Sequence, residues 1–334
     1  MTGDPEPDRP MTGRPWQRRL LKWLRIAYLA LLAAAVPVLV LARRDEVVDL
    51  LGDLAGARHA LVAASFAAGF LLIALSAYFW LVSLRILGQR PSFRDLTVTA
   101  ARSLPARYVP LMVTFAISRV ALMQRRGVPA APLALTAALE MAVSLAVSVA
   151  YGLVLFGWAG GLPGGLAIPL ISAVGVIVAA SPPVAGRAVA AVARWRGLDS
   201  LAPVSGFTWP GSLHMIAASA CYWTSAAAVF CLYMRAFEAA DDFGTARLAG
   251  AFVLTWGGLR FLSVIAPQGI GVVEVTVPSL LGAADPLALG LLIFGFRLVL
   301  LLRDLLAAAV SEFLAARRKP ITADPVQPSE GTEP

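Results

Sequence analysis

Apolar residues in this chain gather into long runs separated by short polar or basic stretches. The runs lie at about 26–42, 59–84, 132–158, 165–182, 208–234, 247–265 and 286–313. A helix needs about 20 mostly apolar residues to cross the bilayer core, so runs of this kind predict spanning helices. Two shorter pieces, about 95–123 and 267–283, are apolar but interrupted by proline and glycine. The first run follows Arg14, Arg18, Arg19, Lys22 and Arg25 and is closed by Arg43 and Arg44. It is longer than the apolar core of a signal peptide and reads as a retained anchor helix. The pattern predicts an all-α polytopic membrane protein. It has about eight transmembrane helices plus a re-entrant or interfacial segment, with two broken helical pieces. Residues 1–19 read as a disordered basic leader, 20–316 as the transmembrane domain and 317–334 as a disordered cytoplasmic tail.

Composition agrees with the pattern. Of 334 residues, 59% are hydrophobic and only 14% charged, with a mean hydropathy of +0.76. Soluble domains run at about 45–50% apolar and about 25% charged. Lys and Arg total 28 against 20 Asp and Glu, a net charge of +8. The basic residues are distributed by side rather than clustered for nucleic acid, which is not expected as a partner. With the N-terminus placed in the cytoplasm, 20 of them fall on the cytoplasmic side and 5 on the other, with Arg260, Arg297 and Arg303 inside apolar runs. Positive charge is retained in cytoplasmic loops, so both termini are expected there, in the cell membrane. An even number of crossings follows. The piece 267–283 then supplies the eighth, and 95–123 enters and leaves from the cytoplasmic face. Within it, Phe93–Ser103 suits an interfacial helix and Tyr108–Met123 the limb of a re-entrant hairpin. Arginines at this face would also meet anionic lipid heads.

Charges within the apolar runs need a partner, water or a purpose, because each costs about 2.5–3.5 kcal/mol on insertion scales. Glu140, Glu274 and Arg297 lie well inside their segments. Asp304 is seven positions beyond Arg297, on the same helix face, and with Arg260 also fits an interfacial position near a helix end. Glu140, Glu274 and Arg297 read either as buried ion pairs that lock helices together or as the lining of a polar cavity. The two breaks favour the cavity. One is Arg102-Ser103-Leu104-Pro105-Ala106-Arg107-Tyr108-Val109-Pro110, the other Ser263-Val264-Ile265-Ala266-Pro267-Gln268-Gly269-Ile270-Gly271-Val272-Val273-Glu274. Proline removes a helix donor, and irregular backbone at membrane depth is tolerated only inside protein or along a wet cavity. Interrupted helices recur where transporters build a site near the midplane, and freed amides at a helix start hold anions. Arg102, Arg107 and Arg119 beside the first break therefore point to a phospholipid or polyprenyl-phosphate head.

Catalytic chemistry finds no foothold. There is no nucleophile elbow, P-loop or His-Glu-x-x-His, and Asp241-Asp242 reads as a solvated loop. Cys221 and Cys231 are ten residues apart in one apolar run, beyond disulfide reach on a helix. His59 and His214 are isolated, so neither a metal site nor a cofactor is expected.

On Leu104-Pro105-Ala106-Arg107 with Arg119 and Gly127, Glu140, Pro267-Gln268-Gly269-Ile270-Gly271-Val272-Val273-Glu274 and Arg297, the chain resembles the lysylphosphatidylglycerol synthase transmembrane family of flippase-like membrane proteins. The resemblance covers most of residues 20–316. It implies an eight-helix lipid-handling module with re-entrant pieces. In such proteins the best-known member moves aminoacylated phosphatidylglycerol between leaflets. The first break here has Ala106-Arg107-Tyr108 where paired glycines and an acid are common in the family. No soluble aminoacyl-transferase domain accompanies the spans, so lysyl transfer from tRNA is not expected. The function expected is movement of a lipid with an anionic or zwitterionic head group between leaflets. Arg102, Pro105, Arg107, Arg119, Glu140, Pro267, Gly269, Gly271, Glu274 and Arg297 would form the substrate site, and Glu140 or Glu274 could carry a proton. The alternative is a non-transporting membrane partner of a glycosyltransferase or other envelope-lipid enzyme; a membrane-embedded transferase lacks a visible acid/base set.

Overall fold

A computed structural model describes residues 52, 56–108, 113–160, 167–179, 181–184, 186–187, 190, 207–258 and 271–316. The leader, the run 26–42, Pro110, Arg260, Pro267, Gly269 and the tail from 317 lie outside the described residues. Every regular element among the described residues is helical. In chain order these are α1 (His59–Gly69), α2 (Leu71–Ile86), α3 (Phe93–Ser103), a 3₁₀ turn (Leu104–Tyr108), α4 (Val113–Gln124), α5 (Ala130–Trp158) and α6 (Ala167–Ala179). They continue with α7 (Trp209–Met234), α8 (Thr245–Gly258), α9 (Val272–Leu281) and α10 (Pro286–Ala316). Among the described residues three stretches are long and apolar enough to cross a membrane: His59–Ile86, Ala130–Trp158 and Trp209–Met234. α10 has 31 residues and carries Arg297, Arg303, Asp304 and Glu312 along its length.

Local chemistry sets the boundaries. Ser92 caps α3, its hydroxyl accepting from the Asp95 amide at 3.1 Å, the usual service of a serine at a helix start. Thr208 does the same for α7. Between α9 and α10, Gly282 turns the chain in the left-handed region (φ 64°), and Asp285 then caps α10 through the amides of Leu287 and Ala288. The span 59–86 is not one continuous helix. At Phe70 the hydrogen bonds tighten, with Ile73 N–H donating to Phe70 O rather than to Gly69 O.

Two apolar clusters carry the packing. One joins α7, α8, α9 and the first half of α10 through Phe230, Phe252 and Phe296; the rings of Phe230 and Phe252 stack at 4.3 Å. The other joins α2, α3, α4 and the starts of α5 and α7 around Trp80, Leu96, Met123 and Leu133. α5 and α8 approach backbone to backbone. A Cβ on Gly250 would stand 2.7 Å from the Phe156 nitrogen and one on Gly152 2.8 Å from the Leu254 nitrogen, the close contact that small residues permit between membrane helices. α9 is only ten residues long, about 15 Å of helix, half of a hydrocarbon core. By itself it does not complete a crossing.

Candidate functional site

The first polar centre lies between α2, α4 and α5. Ser76 and Trp80 are one turn apart on α2, so both face the same neighbour. That neighbour is Glu140. Ser76 Oγ donates to Oε1 at 3.0 Å and Trp80 Nε1 to Oε2 at 2.7 Å. Arg119, with no exposed side-chain surface, donates from Nη1 to Ser76 Oγ (3.0 Å) and from Nη2 to the Ser76 carbonyl (3.2 Å). Its guanidinium lies 4.1 Å above the Trp80 ring but 3.5 Å from Glu140 Oε1. Charge-assisted hydrogen bonds usually measure about 2.7–2.9 Å, so this ion pair is loose. Arg119 Nε has no hydrogen-bond partner.

The second centre is Asp304, whose side chain is wholly buried. Arg303 donates to Oδ1 from Nε at 2.8 Å and again from Nη2. Tyr108 Oη donates to Oδ2 at 2.9 Å, while Arg107 Nη1 stays 3.4 Å away. Arg303 Nη1 donates to Gly69 O at 2.9 Å, the carbonyl left unused where the α1–α2 ladder tightens. Gly69 has no side chain in the way: a Cβ there would meet Arg303 Cδ at 2.9 Å. Asp304 is therefore a buried group, not an exposed one near the end of α10. It ties the 3₁₀ turn to α10, and through Arg303 to the break in the first span.

These two centres adjoin. A hollow of about 10 Å³ is lined by Leu72, Ile73, Ser76, Ala100, Leu104, Arg107, Phe115, Tyr222 and Arg303. That is room for a single water. Arg107 lies over the Phe115 ring at 4.9 Å and within electrostatic range of both Glu140 and Arg119. Three arginines thus share the region with two carboxylates.

A third centre stands apart. Glu274 Oε1 and Arg297 Nε face each other as an ion pair rather than a well-angled hydrogen bond. Glu274 Oε2 accepts from the Gly271 amide at 2.8 Å, closing the start of α9, where Gly271 has φ 85°. Arg297 lies 4.5 Å over the Trp256 ring. α9 and α10 touch closely here, since a Cβ on Gly290 would stand 2.7 Å from Glu274 O. Arg297 and Asp304 are two turns apart on α10, about 10 Å.

The expected site residues are thereby sorted. Arg107, Arg119 and Glu140 come together; Gly271, Glu274 and Arg297 come together elsewhere. Pro105 is half-buried in the 3₁₀ turn. Arg102 does not join the cluster and instead pairs with Glu312, itself largely exposed. Asp241 is exposed in its loop, as expected, and pairs there with Arg58 and Arg235. Ser76, Trp80, Tyr108, Tyr222 and Arg303 are the residues that sequence reasoning missed, although Arg303 was visible as a charge in an apolar run. Among the described residues no three His, Cys, Asp or Glu side chains gather as metal ligands. Comparisons with family models, curated proteins and solved structures found no match for the chain.

Proposed function

We propose that this chain is a multi-pass protein of the cell membrane, both termini cytoplasmic, that moves a lipid with a charged head group between leaflets. The observation that carries the reading is the Arg107–Arg119–Glu140–Arg303–Asp304 cluster, an ionised group inside a bundle of apolar helices at a helix–turn–helix hairpin. Glu140 lies ten residues beyond the start of α5 at Ala130, about 15 Å along the helix. Asp304 lies twelve residues before Ala316, about 18 Å. With those helix ends at the cytoplasmic surface, both reach the middle of a hydrocarbon core about 30 Å thick. The hairpin α3–α4 then enters from the cytoplasm and brings Arg107 to that depth. The resemblance to the lysylphosphatidylglycerol synthase transmembrane family supports the same reading.

Acyl chains would stay in lipid while the head group follows the polar centres, from the hairpin cluster toward Glu274 and Arg297. The test is lipid movement in liposomes holding the purified protein, with labelled phospholipids and polyprenyl phosphates and with or without a proton gradient. Acceleration that falls in Glu274→Gln and Arg297→Ala is the expected result. No acceleration with any head group, together with stoichiometric recovery of one envelope-lipid enzyme, would replace transport by a scaffolding role.

A further inference from the structure

The two carboxylates in the hairpin cluster do not need all three arginines. Glu140 is satisfied by Trp80 Nε1 and Ser76 Oγ. Asp304 is satisfied by Arg303 and Tyr108. The remaining guanidiniums are the two only loosely paired with a carboxylate, Arg107 at 3.4 Å from Asp304 and Arg119, which also donates to Ser76, at 3.5 Å from Glu140. Each lies against an aromatic face, Phe115 for Arg107 and Trp80 for Arg119. Phe115 and Arg119 are one turn apart on α4, so both arginines address the same side of the hairpin. Arg119 Nε is buried without a hydrogen-bond partner, and the cluster carries one more positive than negative group.

Resting on the lipid-handling reading above, we propose that Arg107 and Arg119 form a clamp for a lipid phosphate that carries no compensating cation. Phosphate offers acceptor oxygens matched to the forked donors of arginine. Either arginine can turn to it while each carboxylate keeps its other partners. An ammonium-bearing head would find no spare carboxylate in the cluster, because both are already occupied by Arg303, Tyr108, Trp80 and Ser76. That discriminates against choline, ethanolamine and aminoacyl head groups. The present hollow admits one water, so the phosphate enters as Arg107 swings off Asp304 and α4 parts from α2.

The experiment is native mass spectrometry of the full chain with phosphatidic acid, phosphatidylcholine or a polyprenyl monophosphate, and with inorganic phosphate as competitor. Phosphatidic acid and the polyprenyl phosphate should bind about tenfold or more tightly than phosphatidylcholine, the scale of one charged hydrogen bond. That preference should vanish in Arg107→Gln/Arg119→Gln and persist in Arg58→Gln, whose side chain pairs with Asp241 away from the cluster. Equal affinity for phosphatidylcholine, or an undiminished preference in the folded double variant, overturns the clamp. Should the double variant not fold, the wild-type ratio of the two lipids decides alone. Displacement by inorganic phosphate as strong as by phosphatidic acid would assign the site to the free anion and overturn its lipid part. Tight phosphatidic acid binding without lipid movement in liposomes would sink transport and leave the clamp standing. Movement with no head-group preference would sink the clamp alone.

Discussion

Asp304→Ala is the substitution with the largest consequence. Asp304 is fully buried and receives Arg303 Nε, Arg303 Nη2 and Tyr108 Oη, with Arg107 close by. In the variant Arg303, whose side chain is 2% exposed, retains only the Gly69 carbonyl. Removing one member of a buried ion pair costs about 3–5 kcal/mol in soluble proteins. Hydrogen bonds between membrane helices are weaker, averaging about 0.6 kcal/mol, because the unfolded chain in lipid also finds partners. The stranded charge dominates, so a loss of about 3 kcal/mol is expected. The double variant Arg303→Leu/Asp304→Leu leaves only the partly exposed Arg107 without its carboxylate and should recover most of that loss. Unfolding in an SDS titration can be read from the reaction of buried Cys231 with a thiol dye, in a Cys221→Ala background. A midpoint for Asp304→Ala equal to wild type would refute the reasoning. So would a double variant less stable than the single one.

Other outcomes follow from the same contacts. Gly69→Ala should mimic part of the Asp304 defect by displacing Arg303 from its carbonyl, read by the same titration. Gly250→Leu places a side chain against the Phe156 backbone and should lower stability by about 1–3 kcal/mol, the cost of overpacking. Glu274→Gln should weaken folding, and the charge swap Glu274→Arg/Arg297→Glu should regain part of it, because the pair is nearly buried. Arg126→Gln, by contrast, removes a partly exposed pair with Asp95 and should change stability by less than about 1 kcal/mol.

How much of this was legible beforehand depended on whether a residue's role is local. The helix Phe93–Ser103 was readable to its bounds, since Ser92 and Asp95 announce its start and Pro105 its end. Glu140, Glu274 and Arg297 were visible as charges in apolar runs. Their partners were not. Trp80 and Ser76 look like ordinary members of a spanning segment, and only packing turns them toward Glu140, 60 or more positions away. Arg102 and Arg107 are five residues apart, yet the turn sends one to exposed Glu312 and the other to buried Asp304. Asp304 also fitted an interfacial position, and only the packing of Tyr108 and Arg303 around it shows that it is buried. Gly69, alone in an apolar run, gave no hint of a tightened turn or a free carbonyl.

The most direct measurement is a density map of the protein in nanodiscs containing phosphatidic acid. The expected result is phosphate density held between Arg107 and Arg119, with Arg107 withdrawn from Asp304 and Arg303 still on it. Lipid phosphates confined to the bilayer surface, over a cluster as closed as the one described, would contradict it.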